Sequence, residues 1–170
     1  MGIFDFLTST KRPAPGTPVL SIQDVRDGLL GLNRPTAPYR IVSGSAEGVD
    51  LIAEWKIVDA QWYEVFAKAG LSKVFRVHLK LDPHAHRVRA KDQEYTVAWS
   101  AGVPRLSLAV TSFKGQTHAI EFGTAYAFTE TLAPGRVYHY RFDTREIKQP
   151  IQDVVTSCGW IYKGVAFGAL

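Results

Sequence analysis

The amino-acid sequence predicts an α+β protein: a mainly antiparallel, strongly twisted sheet or partly closed β-barrel, with two or three short helices packed on it. Three observations lead there. From Lys73 to Asp143 the chain alternates apolar and polar residues at the two-residue period of a strand, broken by short turn sequences. The 4 Trp, 7 Tyr and 9 Phe are bulky residues that favour pleated surfaces over helices. Helical spacing between a capping residue and a stop residue occurs only in short stretches.

In chain order, Ile3, Phe4, Phe6 and Leu7 form an apolar tip, and residues 8–18 form a polar, Pro-rich linker unsuited to regular structure. A tip this apolar favours docking, on its own domain or on a second copy, where it would be the exchange arm of a homodimer. Residues 19–170 read as a single globular β-rich domain, because in 170 residues a further domain would leave too little core for both. A helix is predicted over Ser21–Leu32, capped by Ser21 with Asp24 at its third position and Ile22, Val25 and Leu29 on one face; Asn33-Arg34-Pro35 stops it. Residues 39–43 read as a strand and Gly44–Gly48 as a loop. Residues 49–69 fit both a half-buried strand and a helical stripe. A strand to about Val58, then a helix opened by Asp59 and closed by Gly70, divides them.

The predicted meander has strands at 73–81, 86–91, 93–100, 105–114, 117–129 and 136–143. Its turns fall at Asp82-Pro83, Ala101-Gly102, Lys114-Gly115 and Ala133-Pro134-Gly135. Pro150 is placed as the first residue of a helix with Ile151, Val154, Val155 and Cys158 on its apolar face and Gly159 at its end. An extended run over Trp160–Phe167 follows. The expected core comprises Trp55, Trp62, Phe75, Leu79, Leu81, Leu106, Leu108, Phe122, Val154 and Val155.

A hydrophobic fraction of 46% and a charged fraction of 21% are those of a folded globular body rather than a disordered chain. A net charge of +4 and a pI near 9.2 permit an anionic partner without requiring one. The one cysteine, Cys158, excludes an internal disulfide and fits a reducing compartment, so the expectation is a cytoplasmic domain of bacterial type. The first residues fit neither a secretory signal nor a myristoylation pattern.

Charge is organised in one place, the hairpin Lys73–Lys91. Alternation puts Arg76, His78 and Lys80 on one face and Phe75, Val77, Leu79 and Leu81 on the other; after the turn, Arg87, Arg89 and Lys91 alternate with Val88 and Ala90. Paired, the two runs would present a basic ribbon able to engage phosphates, of lipid headgroups or of nucleic acid. Together with the apolar tip Ile3, Phe4, Phe6 and Leu7, it would suit a membrane-surface protein as the alternative. The ribbon itself carries no aromatic residue on that face for base stacking.

A second candidate lies at Tyr39–Trp55, where Ser43, Gly44, Gly48, Asp50 and Ala53 follow a strand. This segment resembles the strand, Gly-rich loop and helix signature of the SLOG superfamily of Rossmann-like nucleotide binders. The resemblance implies a nucleotide phosphate held at Ser43, Gly44, Gly48 and Asp50, the glycines letting the backbone approach it. It spans only this short stretch, and the alternating strands and long helices of a doubly wound sheet do not follow it. Asp82, His84 and His86 read as a solvated turn, since the adjacent Arg87, Arg89 and Lys91 disfavour a divalent ion. No nucleophile elbow, zinc-protease motif or Walker loop is present, and no carboxylate pair stands out. These absences favour a binding domain, with no cofactor or metal, over an enzyme.

Overall fold

The computed structural model describes residues 9–56, 73–101, 103–108, 128–132, 136–140, 144–165 and 169–170. In chain order the elements are α1 (Ile22–Leu30), β1 (Tyr39–Ser43), a 3-10 turn (Ser45–Glu47), β2 (Leu51–Trp55), β3 (Lys73–Asp82) and β4 (Arg87–Ser100). They are followed by β5 (Val103–Leu108), β6 (Phe128–Leu132), β7 (Arg136–Tyr140), α2 (Thr144–Ser157) and β8 (Ile161–Gly164).

Strands β1 to β5 succeed one another across a sheet, each antiparallel to the last, and β8 adds a sixth strand parallel to β4. Strands β6 and β7 pair antiparallel in a ribbon of their own. The architecture is α+β with a mainly antiparallel sheet. The sheet is open, so the barrel alternative falls. Long β4 lies between two partners on one of its edges: β8 along Arg87–Ala90 and β5 along Tyr95–Ser100.

Pleating sorts the residues of this sheet into two faces. Tyr39, Ile41, Leu51, Ala53, Trp55, Phe75, Val77, Leu79, Leu81, Val88, Ala90 and Tyr162 fill the core face and are buried. The Trp55 ring meets Tyr39 and Phe75 edge to face, with centroids 6.2 and 6.4 Å apart. Both helices contribute to this core, α1 through Val25 and Leu29 and α2 through Ile147, Ile151 and Val155. The opposite face of β3, β4 and β8 carries charge.

Local chemistry explains the helix ends. Ser21 and Asp24 form a reciprocal capping box, as the sequence predicts, and hydrogen bonding from Ser21 holds the Asp24 carboxyl below its ordinary range. Gly159 ends α2 with φ 74°, and a Cβ there would lie 2.3 Å from the Pro18 carbonyl oxygen.

Several expectations are corrected. The strands predicted at 86–91 and 93–100 are one, β4, because Asp92 in the expected break is buried by a partner far away in sequence. Pro150 does not open α2 but lies inside it, with the helix starting at Thr144. The packed face of Ile147, Ile151 and Val155 offsets the backbone hydrogen bond that proline cannot donate. Ile22 is 40% exposed rather than part of the buried face of α1. Val154 is half-buried, where a core position was expected. The segment read as a linker is tied down: Lys11 bridges Tyr162 through two 2.9 Å backbone hydrogen bonds. The tip 1–7, the helix predicted over 59–70, Trp62, Phe122 and the side chains of Leu106 and Leu108 lie outside the described residues.

Candidate functional site

The two stretches singled out in the sequence meet on the outer face of the sheet. Antiparallel pairing of β2 with β3 sets Leu51 opposite Leu79 and Glu54 opposite Arg76, which brings the loop between β1 and β2 over the start of the basic ribbon. Lys80 Nζ donates to the Gly48 carbonyl at 3.4 Å and lies 3.9 Å from Asp50 Oδ2. Asp50 also accepts from the Leu81 amide at 2.7 Å, so its carboxylate is a fixed part of the loop.

The loop residues have structural duties. Gly44 is buried, and a Cβ on it would sit 2.4 Å from Val49 Cγ2, so the tight hairpin itself requires glycine. Ser43 Oγ lies 3.2 Å from Ser45 Oγ, and Gly48 closes the 3-10 turn in the left-handed region. The strand and loop of the SLOG resemblance are present, but the helix it implies after them does not form, because Leu51–Trp55 is a strand paired antiparallel with β1.

Around Glu54 the charges form a relay. Its carboxylate, almost buried, accepts from Arg40 Nε and Nη2 at 3.0 and 2.9 Å and from Arg76 Nε at 2.8 Å. The Arg76 guanidinium lies 4.8 Å over the Tyr95 ring, an aromatic group that β4 adds to this face beyond the ribbon read from sequence. Beyond Arg76, Glu47 on the 3-10 turn reaches Arg76 Nη1 at 3.5 Å and His78 Nε2 at 3.3 Å. His78 is buried, and burial pulls its pKa below the ordinary value, with Arg76 and Lys91 adding to the shift and Glu47 opposing it. The imidazole is therefore neutral at pH 7.

Further along the ribbon the register sets His78 opposite Lys91 and Lys80 opposite Arg89. Arg87 is neutralised within the hairpin by Asp82 at 3.3 Å, and Asp82 in turn accepts from the His84 and Ala85 amides at 3.1 Å each. These amide hydrogen bonds, the Ala85 one foremost, hold the Asp82 carboxyl below its ordinary range. Strand β8 then places Lys163 opposite Arg89. A row of three cations, Lys80, Arg89 and Lys163, thus crosses β3, β4 and β8. Lys163 was not singled out in the sequence. Its alternation with Tyr162 was visible there, but the parallel pairing that aligns it with Arg89 was not.

On the core face of the same strands, Asp92 accepts a hydrogen bond from Lys148 of α2, both side chains being buried. Nearby, the Tyr162 phenol is pushed well above its ordinary range, chiefly by burial and further by Asp92. Its oxygen meets no partner with good hydrogen-bond geometry, although the Gln152 side chain lies close enough to oppose the shift. The side chains of Asp92, Lys148 and Tyr162 are all buried.

Neither a family model, nor a curated protein, nor a solved structure matches the chain. Among the described residues no group of three metal-ligating side chains converges, and no helix is long and apolar enough to cross a membrane.

Proposed function

We propose that the protein is a non-catalytic binding domain that holds the phosphate backbone of a nucleic acid strand across the outer face of its sheet. The observation that carries this reading is the row Lys80–Arg89–Lys163. Neighbouring strands lie about 4.8 Å apart, so the row concentrates like charges that disfavour the sheet unless an anion offsets them. Within the described residues Arg89 is met only by the Ala169 carbonyl at 3.0 Å, and Lys163, exposed, meets no carboxylate. Lys80, the third of the row, lies 3.9 Å from Asp50, whereas Arg76 and Arg87 are matched more closely, Arg76 by Glu54 at 2.8 Å and Glu47 at 3.5 Å and Arg87 by Asp82 at 3.3 Å.

A lipid surface shares the phosphate chemistry but needs an apolar anchor beside the cations. Among the described residues the large apolar side chains that are exposed, Val19, Leu20 and Ile22, sit at the start of α1, the helix packed on the opposite face. That separation favours nucleic acid. The single buried thiol, Cys158, suits work in a reducing, cytoplasmic setting.

Fluorescence anisotropy with a labelled single-stranded oligonucleotide, beside flotation with anionic vesicles, tests the reading. Engagement of the row predicts saturable binding whose log–log salt slope is about −2, the value for three phosphates on a single strand. Reversing charge at Arg89 and Lys163 together should abolish it. Flotation without oligonucleotide binding would replace nucleic acid by a membrane, and no binding in either assay would refute the function.

A further inference from the structure

Beside the cationic row, Arg76 and His78 form a small anion-binding subsite that already holds an anion, the chain's own Glu47. Arg76 is fixed without any help from Glu47: its Nε is held by Glu54 at 2.8 Å and its guanidinium plane rests on Tyr95 at 4.8 Å. One edge of the guanidinium, Nη1, is left facing the loop between β1 and β2. His78 Nε2 is buried and lacks a partner with good hydrogen-bond geometry, although a Glu47 oxygen lies 3.3 Å away. Two nitrogens thus face one point from a rigid strand.

Glu47 is held far more loosely. Its contacts are long, its side chain is 40% exposed, and Gly44, at the cap position of its 3-10 turn, supplies no side-chain hydrogen bond. The turn ends at Gly48, in the left-handed region with nothing within 4 Å of a notional Cβ, so the space beside it is open. Exposed ion pairs of this kind contribute little, and a phosphodiester of a strand already held by the neighbouring cations, singly charged and with two free oxygens like the carboxylate, can take the same two nitrogens.

We infer that Glu47 is a built-in competitor: a phosphate of the bound strand takes its place between Arg76 and His78, next along the ribbon from Lys80. This rests on the reading of the outer face as a nucleic-acid surface and adds to it a fixed subsite and a self-imposed limit on affinity. The subsite accepts a compact anion, and the exposed carboxylate keeps weak anions out.

The test compares Glu47→Ala and Glu47→Gln with the parent protein in oligonucleotide titrations, while the imidazole nitrogen signals of His78 are followed by NMR. Both variants should bind about two- to tenfold more tightly, because a competing carboxylate is gone. The His78 Nε2 signal should shift on titration in every binding-competent form. Unchanged affinity in both variants, with a silent His78 signal, would overturn the inference; if Arg89→Glu still abolished binding, the surface itself would stand. Absence of binding by parent and variants alike would overturn both readings.

Discussion

Strands β3 and β4 carry ion pairs on both faces, and the two sets are built differently. On the core face, Asp92 and Lys148 form a pair in which both side chains are buried between the sheet and α2. On the outer face, Arg40, Glu54, Arg76, Glu47 and His78 form a chain of contacts whose exposure rises from buried Glu54 to half-exposed Glu47. A buried pair holds its geometry because neither partner can return to water. A graded chain can give up its outer member and keep the inner ones. The comparison separates a pair that specifies the fold from one that can be exchanged for a ligand.

The largest effect is expected on the core face. Lys148→Ala leaves Asp92 as a buried charge and should cost about 3–5 kcal/mol in denaturant unfolding. Replacing both partners, Asp92→Leu with Lys148→Met, should recover most of that loss. A small cost for the single variant would show that α2 does not seal the pair. A smaller loss, about 1–2 kcal/mol, is expected for Glu54→Gln, because Arg40 and Arg76 remain near enough to solvent to be hydrated. A loss as large as that of Lys148→Ala would make the outer chain structural too, and the contrast would collapse.

The smallest of these effects concerns pH. His78 has a lowered pKa in the folded protein, while the unfolded chain titrates near the ordinary value of 6.5. Below that value the unfolded chain binds more protons, so stability rises with pH there. The contribution is complete above 6.5 and is lost as pH falls from 6.5 toward the lowered folded value. His78→Gln should flatten this part of the stability–pH curve in urea titrations. An unchanged curve would mean that the imidazole is not desolvated as described.

Features set by near neighbours were legible in the sequence. The Ser21–Asp24 capping box, strand Tyr39–Ser43 and the two-faced hairpin from Lys73 were all read correctly, because each depends on alternation or spacing within a few residues. What escaped depends on partners brought from afar. Asp92 looked like the gap between two strands until Lys148, 56 positions later, supplied the reason for burying it. Pro150 looked like a helix start because the apolar face that carries the helix through it is satisfied only by the sheet. At the site, the five cations of the hairpin and His78 were visible, but the carboxylates Glu47, Asp50 and Glu54 belong to a loop and strand that only β2–β3 pairing brings close. Lys163 needed the parallel pairing of β8, which leaves no local trace.

Amide NMR of the protein titrated with a single-stranded oligonucleotide separates the two faces most directly. Binding along the row predicts shifts concentrated at Glu47, Arg76, His78, Lys80, Arg89 and Lys163, with Val25, Leu29, Ile147 and Ile151 on the helices unmoved. Shifts centred on α1 and α2, with the outer face of β3, β4 and β8 silent, would contradict it.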